Sequence, residues 1–250
     1  MVFCAGAFPA LAQSSKSAET DPKAEKIFTL NNQADAYSKS QQYEKAIELL
    51  QRAVRLAPES APILRNLGVV YLNADEPQLA VEAFEQSLRR KPNEPETYFD
   101  LGLGYLGCGR YESAVEALEK ANRLNPDSSA AYNALGSAYA HLGRTEDAFE
   151  AVRKAVAINP NFAAAHANLG ILLMRAGQQY EATNSLEKAV RLEPKSAEAR
   201  FALGVLSLTR HDRKGALTQY GLLKDLSPEL ANRLYHVIYE GSYVLALRAK

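Results

Sequence analysis

The chain has 250 residues, 47% of them hydrophobic and 23% charged, with 29 Lys and Arg set against 29 Asp and Glu. A net formal charge of zero excludes the simplest electrostatic route to nucleic acid or an anionic membrane, which leans on excess positive charge. Two cysteines, Cys4 and Cys108, exclude a disulfide framework and a cysteine metal cluster, and no apolar run reaches the ~18 residues a membrane-spanning helix needs.

The first segment, residues 2–12, reads VFCAGAFPALA and closes on Ala10, Leu11 and Ala12; a polar stretch over 13–26 follows. An apolar run ending in a small-x-small tripeptide resembles the end of a secretory signal peptide. On that reading residues 1–26 are a signal remnant and linker, the mature chain starts at or near Gln13, and the protein is periplasmic or secreted. If the segment is not a signal, the protein is cytoplasmic. Cleavage would remove Cys4 and leave Cys108 as a single thiol, which suits export, where stray thiols are a liability.

From residue 27 onward a period governs the sequence. Pro58, Pro92, Pro126, Pro160, Pro194 and Pro228 stand 34 residues apart. So do the Leu-Gly pairs at Gly68, Gly102, Gly136, Gly170 and Gly204, and so does the series Ala46, Ala80, Ala114, Ala148, Ala182 and Ala216. Self-similarity at such a period marks stacked structural repeats. Six follow: 27–60, 61–94, 95–128, 129–162, 163–196 and 197–230. In the third, Tyr98, Leu101, Tyr105 and Leu106 share one face of a first helix. Gly109 and Arg110 interrupt it, Ala114, Val115, Leu118 and Ala121 mark a second helix, and Pro126 closes that one. Small residues such as Gly102, Ala114 and Ala121 predict a close crossing of the two helices. In the sixth repeat Leu223 replaces the last of them. After Pro228, residues 231–240 begin another first helix with Leu234, Val237 and Ile238 on one face, and no second helix follows. Residues 231–250 therefore read as a capping helix and tail, with Gly241 ending the helix. One helix pair cannot bury its own apolar face, so the repeats must stack.

These combs resemble the tetratricopeptide repeat (TPR), a 34-residue helix–turn–helix unit. The resemblance implies an all-α fold, a right-handed superhelical solenoid of helix–turn–helix repeats with a C-terminal capping helix. It also implies a non-enzymatic scaffold that binds a peptide or partner-protein segment in a concave groove. In that family the first helices line the groove, and positions 5, 9, 12 and 13 of each repeat commonly face the ligand. Carried over, these positions include Arg65, Val69 and Leu72 in the second repeat and Phe99, Leu103 and Leu106 in the third. The fourth adds Asn133, Ser137, Ala140 and His141; the fifth Ile171, Met174 and Arg175; the sixth Phe201, Val205 and Leu208. The strip is mostly apolar, with Arg65 and Arg175 as cationic points, so an apolar partner segment is favoured. The carboxylate clamp of chaperone-binding members is not matched: Asn31 and Asp35 stand in the first repeat where that clamp has Lys and Asn, and Asp100 in the third adds a repelling charge.

Little in the sequence points to chemistry. Gly102, Gly104 and Gly107 fit the G-x-G-x-x-G dinucleotide fingerprint, but that motif works only at a strand-to-helix turn, and here it lies inside a predicted first helix. His141, His166, His211 and His236 lack metal-ligand spacing, and His166 reads as a packing residue. Cys108 reads as a structural thiol. The chain is thus expected to have no catalytic residues, no cofactor and no metal. A self-assembling structural module of an envelope or secretion-related complex is the alternative to the scaffold. An RNA-binding helical repeat is disfavoured by the charge balance and the apolar groove positions.

Overall fold

The computed structural model describes residues 21–240, all of whose regular elements are helices. The apolar segment at 2–12, Cys4, the expected cleavage site and Gly241 lie outside the described residues. The described residues fall into two compact units divided between Pro126 and Asp127.

The N-terminal unit holds three helix pairs: α1 (Pro22–Lys39) with α2 (Tyr43–Leu56), α3 (Ala61–Asn73) with α4 (Pro77–Arg90), and α5 (Pro95–Gly107) with α6 (Tyr111–Leu124). The C-terminal unit holds α7 (Ser129–His141) with α8 (Thr145–Ile158), α9 (Ala163–Arg175) with α10 (Gln179–Leu192), α11 (Ala197–Thr209) with α12 (Arg213–Leu226), and a final α13 (Pro228–Glu240). Helix starts follow local chemistry. Pro77 and Pro95 open α4 and α5, where a missing amide hydrogen costs nothing. The Ser128 and Ser196 side chains accept from the Ala131 and Ala199 amides as N-caps. Helix α1 starts at Pro22, capped by Asp21, so the last residues of the expected linker are helical.

The turn inside every repeat has the same backbone. Gln41, Asp75, Gly109, Gly143, Gly177 and His211, at position 15 of the six repeats, all have φ between 60° and 75°. Glycine adopts that left-handed conformation freely, whereas Gln41, Asp75 and His211 hold it against their own Cβ.

The small-residue combs mark the helix crossings. Ala46, Ala80, Ala114, Ala148, Ala182 and Ala216 are each 0% exposed. A Cβ added at Gly68, Gly102, Gly136 or Gly170 would come within 2.4–2.5 Å of Phe84, Leu118, Val152 or Leu186, each on the second helix of the same repeat. The sixth repeat departs from this rule, because Gly204 meets Leu234 of α13 instead. A single residue, Ser227, separates α12 from α13. The final helix thus starts at Pro228 rather than three residues later, and Leu234 fills the crossing. Leu223, Leu234, Val237 and Ile238 are buried together there, as the capping role requires.

Candidate partner-binding face

The first helices of adjacent repeats are tied by polar pairs that the 34-residue comb does not reveal. Asn66 Nδ2 donates to Asn31 Oδ1 at 2.7 Å, and Arg65 Nε donates to Asp100 Oδ2 at 2.7 Å. In the C-terminal unit Asn168 Nδ2 donates to Asn133 Oδ1 at 2.9 Å. Each bond spans 35 residues, joining position 6 of one repeat to position 5 of the repeat before. Ala202 and Ala167 hold the same two positions and are apolar on both sides. A second rule ties a first helix to the preceding second helix. Tyr71 Oη accepts from Gln51 Nε2 at 3.1 Å, and Tyr105 donates to Glu85 Oε1 at 2.8 Å. Burial, and then the Glu85 bond and charge, push the Tyr105 pKa up to about 12.

Position 5 is therefore largely occupied within the fold. Arg65 pairs with Asp100 in a site where both side chains are mostly buried, 15% and 7% exposed. Burial raises the Asp100 pKa above its ordinary value, against the lowering pull of the Arg65 charge and hydrogen bond. The expectation that Arg65 faces a ligand as a cationic point is not met, because its guanidinium is turned to Asp100. Val69 and Leu72 are buried in the N-terminal core, and Val205 and Leu208 in the C-terminal one. At most 8% exposed, these four have little surface left for a ligand. Phe99, Leu103 and Leu106 on α5 are half-buried, as are Ser137 on α7, Ile171 and Met174 on α9, and Phe201 on α11. Arg233 stacks over the Phe201 ring at 5.0 Å.

In the C-terminal unit the half-buried positions converge. A cavity of about 170 Å³ is lined by Gly136, Ser137, Ala140 and His141 of α7, Val152 of α8, and Asn168, Ile171, Leu172 and Arg175 of α9. Four of these, Ser137, His141, Ile171 and Arg175, occupy positions 9 or 13. The cavity exists because α7 carries Ser137 and Ala140 at positions 9 and 12, where α5 carries Leu103 and Leu106. Its volume is below the ~300 Å³ at which small-molecule sites begin and suits a side chain. His141 and Arg175 are exposed at its rim. Desolvation of its ring and then the Arg175 charge lower the His141 pKa below the usual histidine value. Asn168 belongs to no single-position comb, since the asparagine series at position 6 is broken. The signal that finds it is chemical matching at an offset of 35, Asn133 with Asn168.

The glycine motif is a packing device. Gly102, Gly104 and Gly107 lie within α5, and added Cβ atoms would meet Leu118 at 2.5 Å, Val81 at 2.9 Å and Pro77 at 2.9 Å. His166 is buried, with Nε2 2.9 Å from the Pro160 carbonyl oxygen. The Cys108 thiol is half-buried, and desolvation raises its pKa, which is partly offset by Arg110. Among the described residues no group of three His, Cys, Asp or Glu could hold a metal ion, and no helix is long and apolar enough to cross a membrane.

A family model described as the C-terminal TPR domain of cilia and flagella-associated protein 70 matches residues 5–226. The chain belongs to this tetratricopeptide-repeat family. A search of curated proteins returned no match. Among solved structures, Pseudomonas aeruginosa pilF superposes with a TM-score of 0.71 at 22% identity, covering 87% of this chain and 99% of that one. A thermophilic TPR protein of Thermus thermophilus gives 0.64 at 26% identity, over 74% of this chain and all of the other. PilW, a type IV pilus biogenesis factor, gives 0.73 at 20% identity over 84% and 98% of the two chains. These likenesses establish the TPR solenoid fold, and the two at the lower identities establish the fold alone.

Proposed function

We propose that this TPR chain is a non-enzymatic scaffold that holds an apolar segment of a partner protein against the first helices of its repeats. The observation that carries this reading is the cavity between α7 and α9, flanked by the half-buried Ile171 and Met174. Apolar side chains on a recessed face give a partner segment surface to bury, at roughly 25 cal/mol per Å². Binding energy at such faces concentrates in a few anchors. Ile171 and Met174 are the anchors here, and Leu103 and Leu106 on α5 offer a second apolar row within the N-terminal unit.

The test is capture of partner from an extract of the native source on the full chain, repeated with Ile171→Ala, Ser137→Tyr and the outer-face control Glu187→Ala. Loss of the same partner with the first two, at unchanged melting temperature, and retention with the third is the expected pattern. Equal capture by all three variants would place binding elsewhere.

A second reading, self-association, is favoured by one patch. Tyr235 and Tyr239 of α13 are 40% and 52% exposed, with ring centroids 4.5 Å apart, and Leu217, Leu222 and Leu226 of α12 are also exposed. A mass that rises with concentration, and falls back on Tyr235→Ser with Tyr239→Ser, would favour it. Envelope localisation rests on residues 2–12. N-terminal sequencing of native material should then begin at or near Gln13, and retention of Met1 would remove the proposal.

A further inference from the structure

The cavity between α7 and α9 has an apolar floor. Val152, 0% exposed, and Leu172, 5% exposed, line it beside the buried Gly136. The helix crossing holds that floor in place, since a Cβ added at Gly136 would stand 2.4 Å from Val152. The half-buried Ala140, Ser137, Ile171 and Asn168 form the walls, with the Asn168 amide tied to Asn133. An occupant must therefore bring an apolar end to the floor, because a polar atom buried there without a partner is costly. Size narrows the choice further. A cavity of about 150 Å³ lined by aliphatic and aromatic side chains accepts benzene, and this one measures about 170 Å³. It holds one six-membered ring and leaves no room for the second ring of an indole. A smaller side chain would forfeit contacts with the walls.

We propose that this cavity takes the phenyl ring of a phenylalanine carried by the partner segment, and that its floor selects phenylalanine over tyrosine and tryptophan. The inference rests on the reading of this face as the partner-binding one and adds the side chain that the face recognises. A ring seated end-on brings its far carbon to Val152 and Leu172, so a tyrosine hydroxyl would be buried there with no partner.

A random dodecapeptide library displayed on phage and selected on the full 250-residue chain is the probe. Four variants are compared, each shown to keep its native helical signal at the assay temperature. Ala140→Leu and Ser137→Leu fill the recess from two walls, Val152→Thr puts a hydroxyl on the floor, and Ile171→Ala trims the face beside it. The native chain should enrich apolar peptides with a phenylalanine at one recurring place. For a synthesised winner, exchanging that phenylalanine for alanine should weaken binding about thirty-fold, the scale of an interface hot spot. Exchanging it for tyrosine should weaken binding about ten-fold. Ala140→Leu and Ser137→Leu should each bind the phenylalanine and alanine forms alike, and Val152→Thr should narrow the gap between the phenylalanine and tyrosine forms. Ile171→Ala should weaken every form by a similar factor. Winners without phenylalanine, a phenylalanine preference that survives both filling variants, or a tyrosine gap that is absent or unmoved by Val152→Thr would overturn the ring inference. The binding face would still stand as long as Ile171→Ala weakens the same peptides. Peptides indifferent to Ile171→Ala and to both filling variants, or no enrichment at all, would overturn the binding face itself and the inference with it.

Discussion

At α3 in the N-terminal unit, positions 9 and 12 hold Val69 and Leu72, both buried, and position 5 holds Arg65, bound to Asp100. At α9 in the C-terminal unit, positions 9 and 12 hold Ile171 and Met174, both half-buried, and position 13 holds the exposed Arg175. The two helices have the same length and the same place in their repeats, so the repeat alone does not decide which residues meet a partner. The packing around each helix differs. Leu30 on α1 and Leu103 on α5 pack with the core that encloses Val69 and Leu72. Beside α9, α7 carries Ser137 and Ala140 at positions 9 and 12, and a cavity remains.

The largest difference should come from the two arginines. Arg65→Ala leaves Asp100 buried without its cation and should cost about 4 kcal/mol of unfolding free energy at neutral pH, whereas Arg175→Ala should stay within about 0.5 kcal/mol, as surface changes do. Urea unfolding of both variants measures this. The pH dependence carries a definite sign. The folded Asp100 pKa lies above its ordinary value, so the protonated carboxyl is favoured by folding. That contribution is fully present below the ordinary carboxylate pKa and is lost as pH rises through the folded one. Removing Arg65 leaves the desolvation unopposed, so the Arg65→Ala deficit should shrink on acidification. A deficit independent of pH would mean that Arg65 acts through packing.

A core test comes next. Leu72→Ala should cost about 3 kcal/mol, the range for a buried leucine that leaves a cavity. Met174→Ala should cost about 1 kcal/mol, since part of its surface is already in water. Equal costs in thermal unfolding would erase the distinction between enclosed and open first helices.

The polar pairs sharpen the same comparison. Asn66 is 0% exposed, and its Oδ1 has no hydrogen-bond partner. Asn66→Ala alone should cost about 1–2 kcal/mol because Asn31 is stranded, while Asn31→Leu with Asn66→Leu should be close to neutral. Asn168→Ala, in a half-buried pair, should cost less than Asn66→Ala because water can replace the lost bond.

The smallest effect is one on which the units should agree. Position 15 has a positive φ in all six repeats, so Gln41→Gly and His211→Gly should each stabilise the chain. The gain is about 0.5 kcal/mol, the relief of left-handed strain less the entropy that glycine adds to the unfolded chain. Differential scanning calorimetry resolves it as a rise in melting temperature; a fall in either variant would show that the side chain offsets its strain.

The repeats were legible in the sequence because a solenoid writes the same packing problem six times. Each Ala of the second-helix comb is fully buried, and four Leu-Gly glycines meet a side chain 16 residues on. The capping helix was legible from Leu234, Val237 and Ile238. Its earlier start at Pro228 was not, because the comb proline usually sits in the loop between repeats, and here it opens a helix. The binding positions were legible only in part. Val69 and Val205 are buried, yet they share repeat position 9 with the half-buried Leu103, Ser137 and Ile171. Burial at that position is therefore not fixed by the repeat itself. The pairings at 35 residues depend on two repeats at once, which a comb of single positions hides.

Hydrogen exchange of the full chain, with and without a bound partner segment, tests the central claim most directly. If the open face is the binding face, new protection should appear in α7 and α9 and leave α3 unchanged. Protection confined to α3, or to α12 and α13, with α7 and α9 exchanging as in the free chain, would contradict it.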